Sequence, residues 1–264
     1  MEEKIEVLSS VHNAIRILQT FSRSEMELGI SELSVRLGLA KSTVSRLMKT
    51  LNQVNLVEKN PETQKYRLGI SAFELGFVVY HTMELRQVSY PILEKLAKSI
   101  RRVVRLGVYD KGGVVYLSKH MPGEDDGTIS MIGDRSPVHC TAIGKILLAN
   151  QTEKEIERVV TDQLKRYTNK TIIAPQELKK EIFEIRKKGY AVTMEELRSG
   201  FSSVAVPVKN DMGKVVGAIS ITGLQSHLYA SQIDQYVSQL RTCSRLITER
   251  MGMDYFVHKH KSAK

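Results

Sequence analysis

The feature that most constrains the fold is a pair of short amphipathic segments joined by a glycine turn, between residues 30 and 54. We expect Ser31 to cap the first segment and Gly38 to end it. Three residues then precede Ser42, the expected cap of a second helix that runs to about residue 54. A helix, a tight turn containing glycine and a second helix form a helix-turn-helix.

The residues that follow predict a β-hairpin, or wing. Two short stretches, 56–59 and 65–69, flank the polar turn Asn60-Pro61-Glu62-Thr63. In the second stretch Lys65 and Arg67 alternate with apolar residues, so on a strand they share the face opposite the core. We predict that both contact phosphate or the minor groove of DNA, and the alternative is a generic basic hairpin.

The second helix of the pair has a basic, hydroxyl-rich face. Its apolar positions (Val44, Leu47, Met48 and Leu51) face the core and leave the other side chains exposed. One helix fits the major groove of DNA, where its first residues reach base edges and phosphates. From Arg36 to Arg67 there are seven Lys/Arg against two acids, and the formal charge of +10 also favours a polyanionic partner. The pattern favours a double-stranded DNA operator over an ordinary solvated helix face. The predicted contacts on this helix are Lys41, Ser42, Thr43, Ser45, Arg46 and Lys49.

The rest of the chain predicts a connecting helix and a second domain. We expect residues 70–86 to form the connecting helix, and residues 103–120 and 204–222 to form two hairpins. Further helices are predicted near residues 88–101, 142–149, 153–166, 176–188 and 231–250. Helices segregated from hairpin-connected strands are typical of an α+β protein. We therefore divide the chain into a winged helix-turn-helix (1–70), a linker helix (71–86), a second domain (87–252) and a basic tail (253–264).

Small and hydroxyl-bearing residues predict a ligand cavity in the second domain. Ala218, Ser220 and Thr222 share one face of their strand by alternation, and Ser203 and Ala205 share a face of the preceding strand. Thr141 is placed to cap a helix whose first amides, those of Ala142 and Ile143, would attract a carboxylate. The alternative is that the small residues serve tight packing. Likewise, Glu195 and Glu196 fit either the pocket or a solvated pair.

Several function classes are disfavoured. The two cysteines, Cys140 and Cys243, lack a CxxC partner, and His139 with Cys140 cannot complete a tetrahedral metal site. We expect no metal, cofactor or catalytic residue, since neither a phosphate loop nor a nucleophile elbow occurs. An enzyme with an accessory winged helix, or an RNA-binding or structural winged-helix protein, is the alternative. Without an 18-residue apolar run or a signal-peptide layout, we expect a cytoplasmic protein that does not bind membranes.

Five segments resemble the IclR family of bacterial regulators, in the family's order, within residues 8–250. They are residues 30–47, 65–69, 133–149, 189–200 and 217–223. The resemblance implies a winged-helix domain, a GAF-like α/β effector domain, homodimers or tetramers, and no enzymatic activity. A transcription regulator is the expected function, with repression as the expected sign.

The resemblance also suggests an effector class. The runs 141–149 and 251–256 resemble regulators of hexuronate or pectin breakdown, which sense sugar acids such as 2-keto-3-deoxygluconate. Two positions depart from the family's pattern: Thr193 replaces a common Asp, and Ser203 replaces a common Cys. The pocket stays polar but loses an acidic group. The predicted contacts of a small organic-acid effector are Ala142, Ile143, Thr193, Ser203, Ser220 and Thr222.

Overall fold

The computed structural model describes the backbone of residues 8–121, 123, 131–225 and 230–261, and the side chains among these up to residue 252 except that of residue 230. It divides into two units, Met1–Thr82 and Met83–Lys264. Over the described residues, no helix combines the length and apolar character that crossing a bilayer requires.

The first unit is a winged helix-turn-helix, as predicted. Its core collects side chains from every helix of the motif and from the wing, including the fully buried Ile17, Leu33, Val44 and Met48. Each such side chain stabilises the fold by about 1.5–3 kcal/mol relative to its exposed state. The elements are α1 (Ser9–Leu18), α2 (Ile30–Leu37), α3 (Lys41–Gln53), β1 (Val57–Lys59), β2 (Tyr66–Leu68) and α4 (Ile70–Thr82).

The glycine turn between α2 and α3 is confirmed, but the predicted caps are wrong. Gly38 has φ +66°, the left-handed conformation that favours glycine at a helix end. Helix α2 begins before Ser31, and the backbone N–H of Gly29 donates to the Glu32 carboxylate at 2.7 Å instead. Helix α3 also begins before Ser42, without a side-chain cap, so Ser42 lies in its first turn.

The wing is closed by side chains of its own turn. The Asn60 Oδ1 atom accepts the backbone N–H of Glu62 at 2.9 Å, which fixes the predicted polar turn. Gly69, directly after β2, is required by space: a Cβ atom there would lie 2.2 Å from the Asn55 carbonyl oxygen. These contacts hold β1 and β2 in the register that pairs Glu58 with Arg67.

The second unit is built on one antiparallel sheet with strand order β5-β4-β3-β8-β7-β6. The two predicted hairpins are confirmed, whereas the edge strands β5 and β6 were not predicted, because three or four residues offer too few alternations. Together the two units confirm the α+β class. The elements are α5 (Glu84–Ile100), β3 (Val103–Asp110), β4 (Gly113–His120), β5 (Arg135–Pro137), α6 (Ala142–Ala149), α7 (Glu153–Thr161), α8 (Pro175–Lys188), β6 (Ala191–Met194), β7 (Phe201–Lys209), β8 (Val215–Leu224) and α9 (Ile233–Lys261).

Several helix boundaries differ from the prediction. The single connecting helix over 70–86 is wrong: α4 ends at Thr82 and α5 starts at Glu84, because Met83 leaves the helical conformation and packs on the core of the second unit. Helix α7 ends at Thr161 rather than near residue 166. The backbone of α9 continues to Lys261, while the side chains of the predicted tail 253–264 lie outside the described residues.

The sheet separates two cores. Helices α5 and α9 cover one face, where Leu106, Ile219 and Ile221 are buried. Helices α6, α7 and α8 contribute to the core on the other face, where the buried residues of β7 and β8 are Ala205 and Ala218 and Val215 of β8 is partly buried. Large and small residues therefore alternate along β8, and the small ones face α6.

Candidate nucleic-acid interface and effector pocket

The predicted DNA-contacting residues of α3 lie on one exposed side of the helix. Val44, Met48 and Leu51 are buried, and Leu47 is half-buried. Lys41, Ser42, Thr43, Arg46 and Lys49 are exposed, and Ser45 is half-buried. The sequence of α3 contains three basic residues and no acid. Among the described residues, these three cations take part in no ion pair.

The two wing cations differ from those of α3, because each has a carboxylate partner. Lys65 Nζ lies 2.8 Å from Glu32 Oε1, and Arg67 contacts Glu58, the residue opposite it in the hairpin. These side chains are 41% to 55% exposed, and pairs of this kind contribute about 0–1 kcal/mol. A phosphate group can therefore replace the carboxylates with little loss of stability.

Glu32 links the wing to the helix-turn-helix. Its carboxylate accepts the Gly29 N–H at the start of α2 and also binds Lys65. The backbone hydrogen bond from Gly29, followed by the one from Lys65, lowers the pKa of Glu32. Sequence reasoning missed this residue, although a glutamate in the first turn of a helix is a recognisable capping signal.

The first turn of α6 has the predicted geometry. The Thr141 Oγ1 atom accepts the Gly144 N–H at 3.1 Å, so Thr141 is the cap. The N–H groups of Ala142 and Ile143, the first two residues of α6, have no acceptor within the helix itself. Gly144 permits this turn, because a Cβ atom there would lie 2.4 Å from the Val138 Cα atom.

The strand register brings the predicted hydroxyl groups together. Thr193 is directly opposite Ser203, and Ser203 is directly opposite Thr222. The Ser203 and Thr222 hydroxyls lie 2.7 Å apart. Ser220 is in the next row, opposite Ala205. Thr193, Ser220 and Thr222 are buried and Ser203 is half-buried, so these residues form one polar patch on the sheet.

Two contacts place the N-terminal part of α6 next to this patch. Ile143 packs directly on Gly107 of β3, where an added Cβ atom would lie 3.0 Å from its side chain. Lys145 reaches Glu196, two residues beyond the end of β6 and three beyond Thr193. For Ala205 and Ala218 the packing interpretation is correct, because both lie in the core under α6.

A buried ion cluster stands beside the patch. Lys145 is fully buried, and its Nζ atom donates to Glu196 Oε1 at 2.6 Å and to Glu181 Oε1 at 2.9 Å. Burial raises the pKa of Glu196 to about 7, although Lys145 opposes the shift. Of the predicted glutamate pair, Glu196 is therefore a core residue, and Glu195 instead binds Lys170. Sequence reasoning missed Lys145, a single cation within an apolar run.

The His139-Cys140 pair is also buried. His139 Nε2 lies 3.0 Å from the backbone oxygen of Lys165. Burial raises the pKa of the Cys140 thiol to about 12, so it stays protonated at neutral pH.

An open groove of about 420 Å³ runs along α9 beside Tyr190. The predicted effector residues do not line this groove.

An exposed basic helix in a winged helix-turn-helix, followed by a separate α/β domain, defines a class of protein: the DNA-binding transcription regulators with an effector domain. The model of the IclR helix-turn-helix domain matches residues 10–61, and that of the bacterial transcriptional regulator IclR C-terminal domain matches residues 77–249. The chain therefore belongs to the IclR family, whose members bind DNA operators and small-molecule effectors, and it is a regulator rather than an enzyme.

Individual relatives agree over nearly the whole chain. It is 33% identical over 247 residues to the HTH-type transcriptional regulator XynR of Escherichia coli K12, covering 93% of this chain and 98% of that one. It is 31% identical over 253 residues to the HTH-type transcriptional regulator KdgR of the same strain, covering 96% of each. An IclR homolog of Microbacterium hydrocarbonoxydans, solved with 4-hydroxybenzoate, has the same fold at a TM-score of 0.79 and 24% identity, covering 93% of this chain and 100% of that one.

Proposed function

We propose that the chain is a homodimeric or tetrameric repressor whose affinity for operator DNA is controlled by a small organic acid bound beneath α6. The exposed face of α3 carries the DNA part of the proposal, because it offers three cations that no carboxylate of the described residues neutralises. Helix α3 would enter the major groove, and Lys65 and Arg67 of the wing would contact phosphates or the minor groove.

The DNA surface is tested by Arg46→Ala. If Arg46 contacts a base edge, its loss weakens operator binding by about 1–3 kcal/mol and relaxes sequence preference at that position. Lys154→Ala is the matched control, since Lys154 is an exposed cation on α7 in the other unit. Titrations of duplex operator at several salt concentrations measure both variants, and equal losses in the two would contradict groove docking by α3.

Helix α4 supports the proposed assembly. None of its residues is buried, although most are apolar. An operator with two-fold symmetry requires a protein with the same symmetry, and a second copy of α4 would cover these side chains. We therefore place part of the dimer contact within residues 70–86. The apolar side chains of α4 that are about half or more exposed are Ile70, Phe73, Leu75, Phe77, Val78 and Val79.

Light scattering tests this assembly. At micromolar concentration we expect a mass of at least twice the 29.8 kDa of one chain. Phe77→Glu, which places a charge in the proposed contact, is expected to shift the mass towards the monomer. A wild-type chain that is monomeric would contradict the proposal.

The effector part rests on the polar patch and the α6 amides. A carboxylate would bind the N–H groups of Ala142 and Ile143, and its hydroxyl or keto oxygens would meet Ser203, Ser220 and Thr222, with Thr193 in the same row. The sequence resemblance to regulators that sense sugar acids makes 2-keto-3-deoxygluconate the first ligand to test. The acid would act by favouring one arrangement of the DNA-binding units over another.

Ser220→Leu tests the pocket. The larger side chain would occupy the proposed pocket and removes a hydroxyl, so the affinity for the best acid found by thermal-shift screening should fall at least tenfold, or about 1.4 kcal/mol. Operator binding without effector should persist, which also shows that the variant folds. Ser238→Leu, on an exposed position of α9, is the matched control. Equal binding of the acid by Ser220→Leu and the parent chain would place the pocket elsewhere.

Repression is tested with a transcription assay in vitro. We expect the chain alone to lower transcription from a promoter that contains its operator, and the acid to restore it. If the chain instead raises transcription, the proposal of repression is wrong, while the proposed DNA and effector sites still stand.

A further inference from the structure

One buried oxygen atom near the start of α6 has no hydrogen-bond partner among the residues that the structure describes. Glu196 is only 7% exposed, and its Oε1 atom accepts a hydrogen bond from Lys145 Nζ at 2.6 Å. Its second oxygen, Oε2, is buried and meets no donor in this part of the chain. Buried polar atoms of proteins are nearly always paired, because an unpaired one costs free energy. Oε2 is therefore available to a bound ligand.

Several contacts place Glu196 beside the proposed effector site. Its cation, Lys145, is the fourth residue of α6, and the first two residues are Ala142 and Ile143. Burial, and then the charge of Glu196, raise the pKa of the Cys140 thiol, which lies two residues before α6. The carboxyl group of Glu196 is thus near the same helix end to which we assign the carboxylate of the effector.

The net charge of this buried cluster depends on one proton. Lys145 supplies a positive charge, and Glu181 on α8 supplies a negative charge at 2.9 Å from the same Nζ atom. The cluster is therefore neutral when Glu196 is protonated and carries one negative charge when Glu196 is ionised. Further ionisable side chains beside it are His139, Cys140, Glu177, Glu195 and Lys170.

Glu196 exchanges its proton near neutral pH. Burial raises its pKa to about 7 against the opposing effect of Lys145, and the negative charges of Glu181 and Glu177 add to the rise. An anion that binds nearby favours the protonated form, because two negative charges repel strongly in a buried site. The protonated carboxyl group also gains an O–H donor that a ligand oxygen can accept.

We infer that Glu196 is a further effector-binding residue, which holds the acid by donating a hydrogen bond from protonated Oε2 to an oxygen of the ligand. The inference rests on the proposed effector site and adds one residue to it. Binding transfers a proton from solution to Glu196, while the ligand remains an anion and no covalent bond of it changes. Lys145 is a positioning residue, because its hydrogen bond to Oε1 leaves Oε2 to carry the proton.

Calorimetry with the full chain tests the inference, with 2-keto-3-deoxygluconate and, as a shorter 2-keto acid, pyruvate. Both acids stay ionised between about pH 6 and 8, so a pH dependence arises in the protein. Since only the protonated fraction of Glu196 is competent to bind, the dissociation constant should rise about tenfold from pH 6 to pH 8. At pH 7, buffers of different ionisation enthalpy should reveal the uptake of about half a proton per acid bound.

Glu196→Gln removes the titration but keeps a donor at the same position. Its affinity for the acid should change less than about threefold over this pH range, without proton uptake, and any residual dependence measures His139. Glu184→Gln is the matched control, because this glutamate of α8 is paired with Lys187 instead. It should keep the pH dependence of the parent chain. Glu196→Gln that also kept it would overturn the inference.

Glu181→Gln keeps the test decisive if Glu196→Gln does not fold. The negative charge of Glu181 helps to raise the pKa of Glu196, so its removal should move the midpoint of the pH dependence to lower pH while proton uptake persists. An unchanged midpoint would assign the titration to another group and overturn the inference.

The outcomes separate this inference from the proposed function. An acid that binds the parent chain equally well at all these pH values, without proton uptake, would overturn the role of Glu196 and leave the Ser220 pocket standing. Failure of both acids to bind at every pH would contradict the proposed effector class, and the inference with it.

Discussion

The exposed face of α3 and the interior beneath α6 both contain charged side chains, but these differ in exposure and in pairing. Arg46 and Lys49 are exposed and have no ion-pair partner among the described residues, so they contribute binding potential and little stability. Lys145 and Glu196 are buried and paired, so they are part of the core. Changes to the first region should therefore alter DNA affinity alone, whereas changes to the second should alter stability.

The largest effect is expected for Lys145→Met. Removing the amine leaves the carboxylates of Glu181 and Glu196 without their cation, and breaking a buried pair in this way costs about 3–5 kcal/mol in the free energy of unfolding. Urea denaturation followed by circular dichroism measures the loss. The control is Lys179→Met, whose partly exposed pair with Glu157 contributes at most about 1 kcal/mol. Similar losses of unfolding free energy in the two variants would contradict the expected difference between buried and exposed ion pairs.

A smaller effect is expected from pH. Folding raises the pKa of Glu196 from 4.5 to about 7, so between these values the folded chain holds a proton that the unfolded chain releases. The unfolding free energy contributed by this group therefore falls as pH rises from about 4.5 to 7, by roughly 1–3 kcal/mol. Denaturation at several pH values should give a shallower dependence for Glu196→Gln. Parallel curves for the variant and the parent would show that Glu196 titrates normally.

The smallest effect concerns the two kinds of DNA-binding cation. Lys49→Ala should weaken operator binding by about 1 kcal/mol, and Lys65→Ala by a few tenths, because Lys65 must first leave Glu32. Lys65→Ala should act equally on all DNA sequences and reduce the salt slope by roughly one unit. Glu32→Gln frees Lys65 and should raise the affinity. A larger loss for Lys65→Ala than for Lys49→Ala would contradict this ranking.

The exposed face of α3 could be predicted from the sequence because it depends on local periodicity. Once Val44, Met48 and Leu51 face the core, the positions of Arg46 and Lys49 follow from the pitch of one helix. Helix starts were less predictable, since Ser31 and Ser42 are good capping residues but neither one caps its helix. Whether α3 reads bases remains a prediction.

The interior beneath α6 could be predicted only in part. Alternation along single strands correctly places Ser220 with Thr222, and Thr141 is the predicted cap. The rows across the sheet depend instead on which strands pair, and β3 and β8 are far apart in the sequence. The role of Lys145 was missed for a related reason, because its partners Glu181 and Glu196 come from other elements of the chain.

Both cysteines of the chain, Cys140 and Cys243, are buried in the second unit, and burial raises the pKa of each thiol. A thiol reagent can reach them only when that unit opens, so the rate at which the reagent labels them reports local unfolding of the unit. The first unit has no cysteine, so it does not contribute to the labelling rate. An acid that occupies the space beneath α6 should slow the labelling of Cys140, and mass spectrometry could then follow ligand occupancy on the unaltered chain while it is bound to DNA.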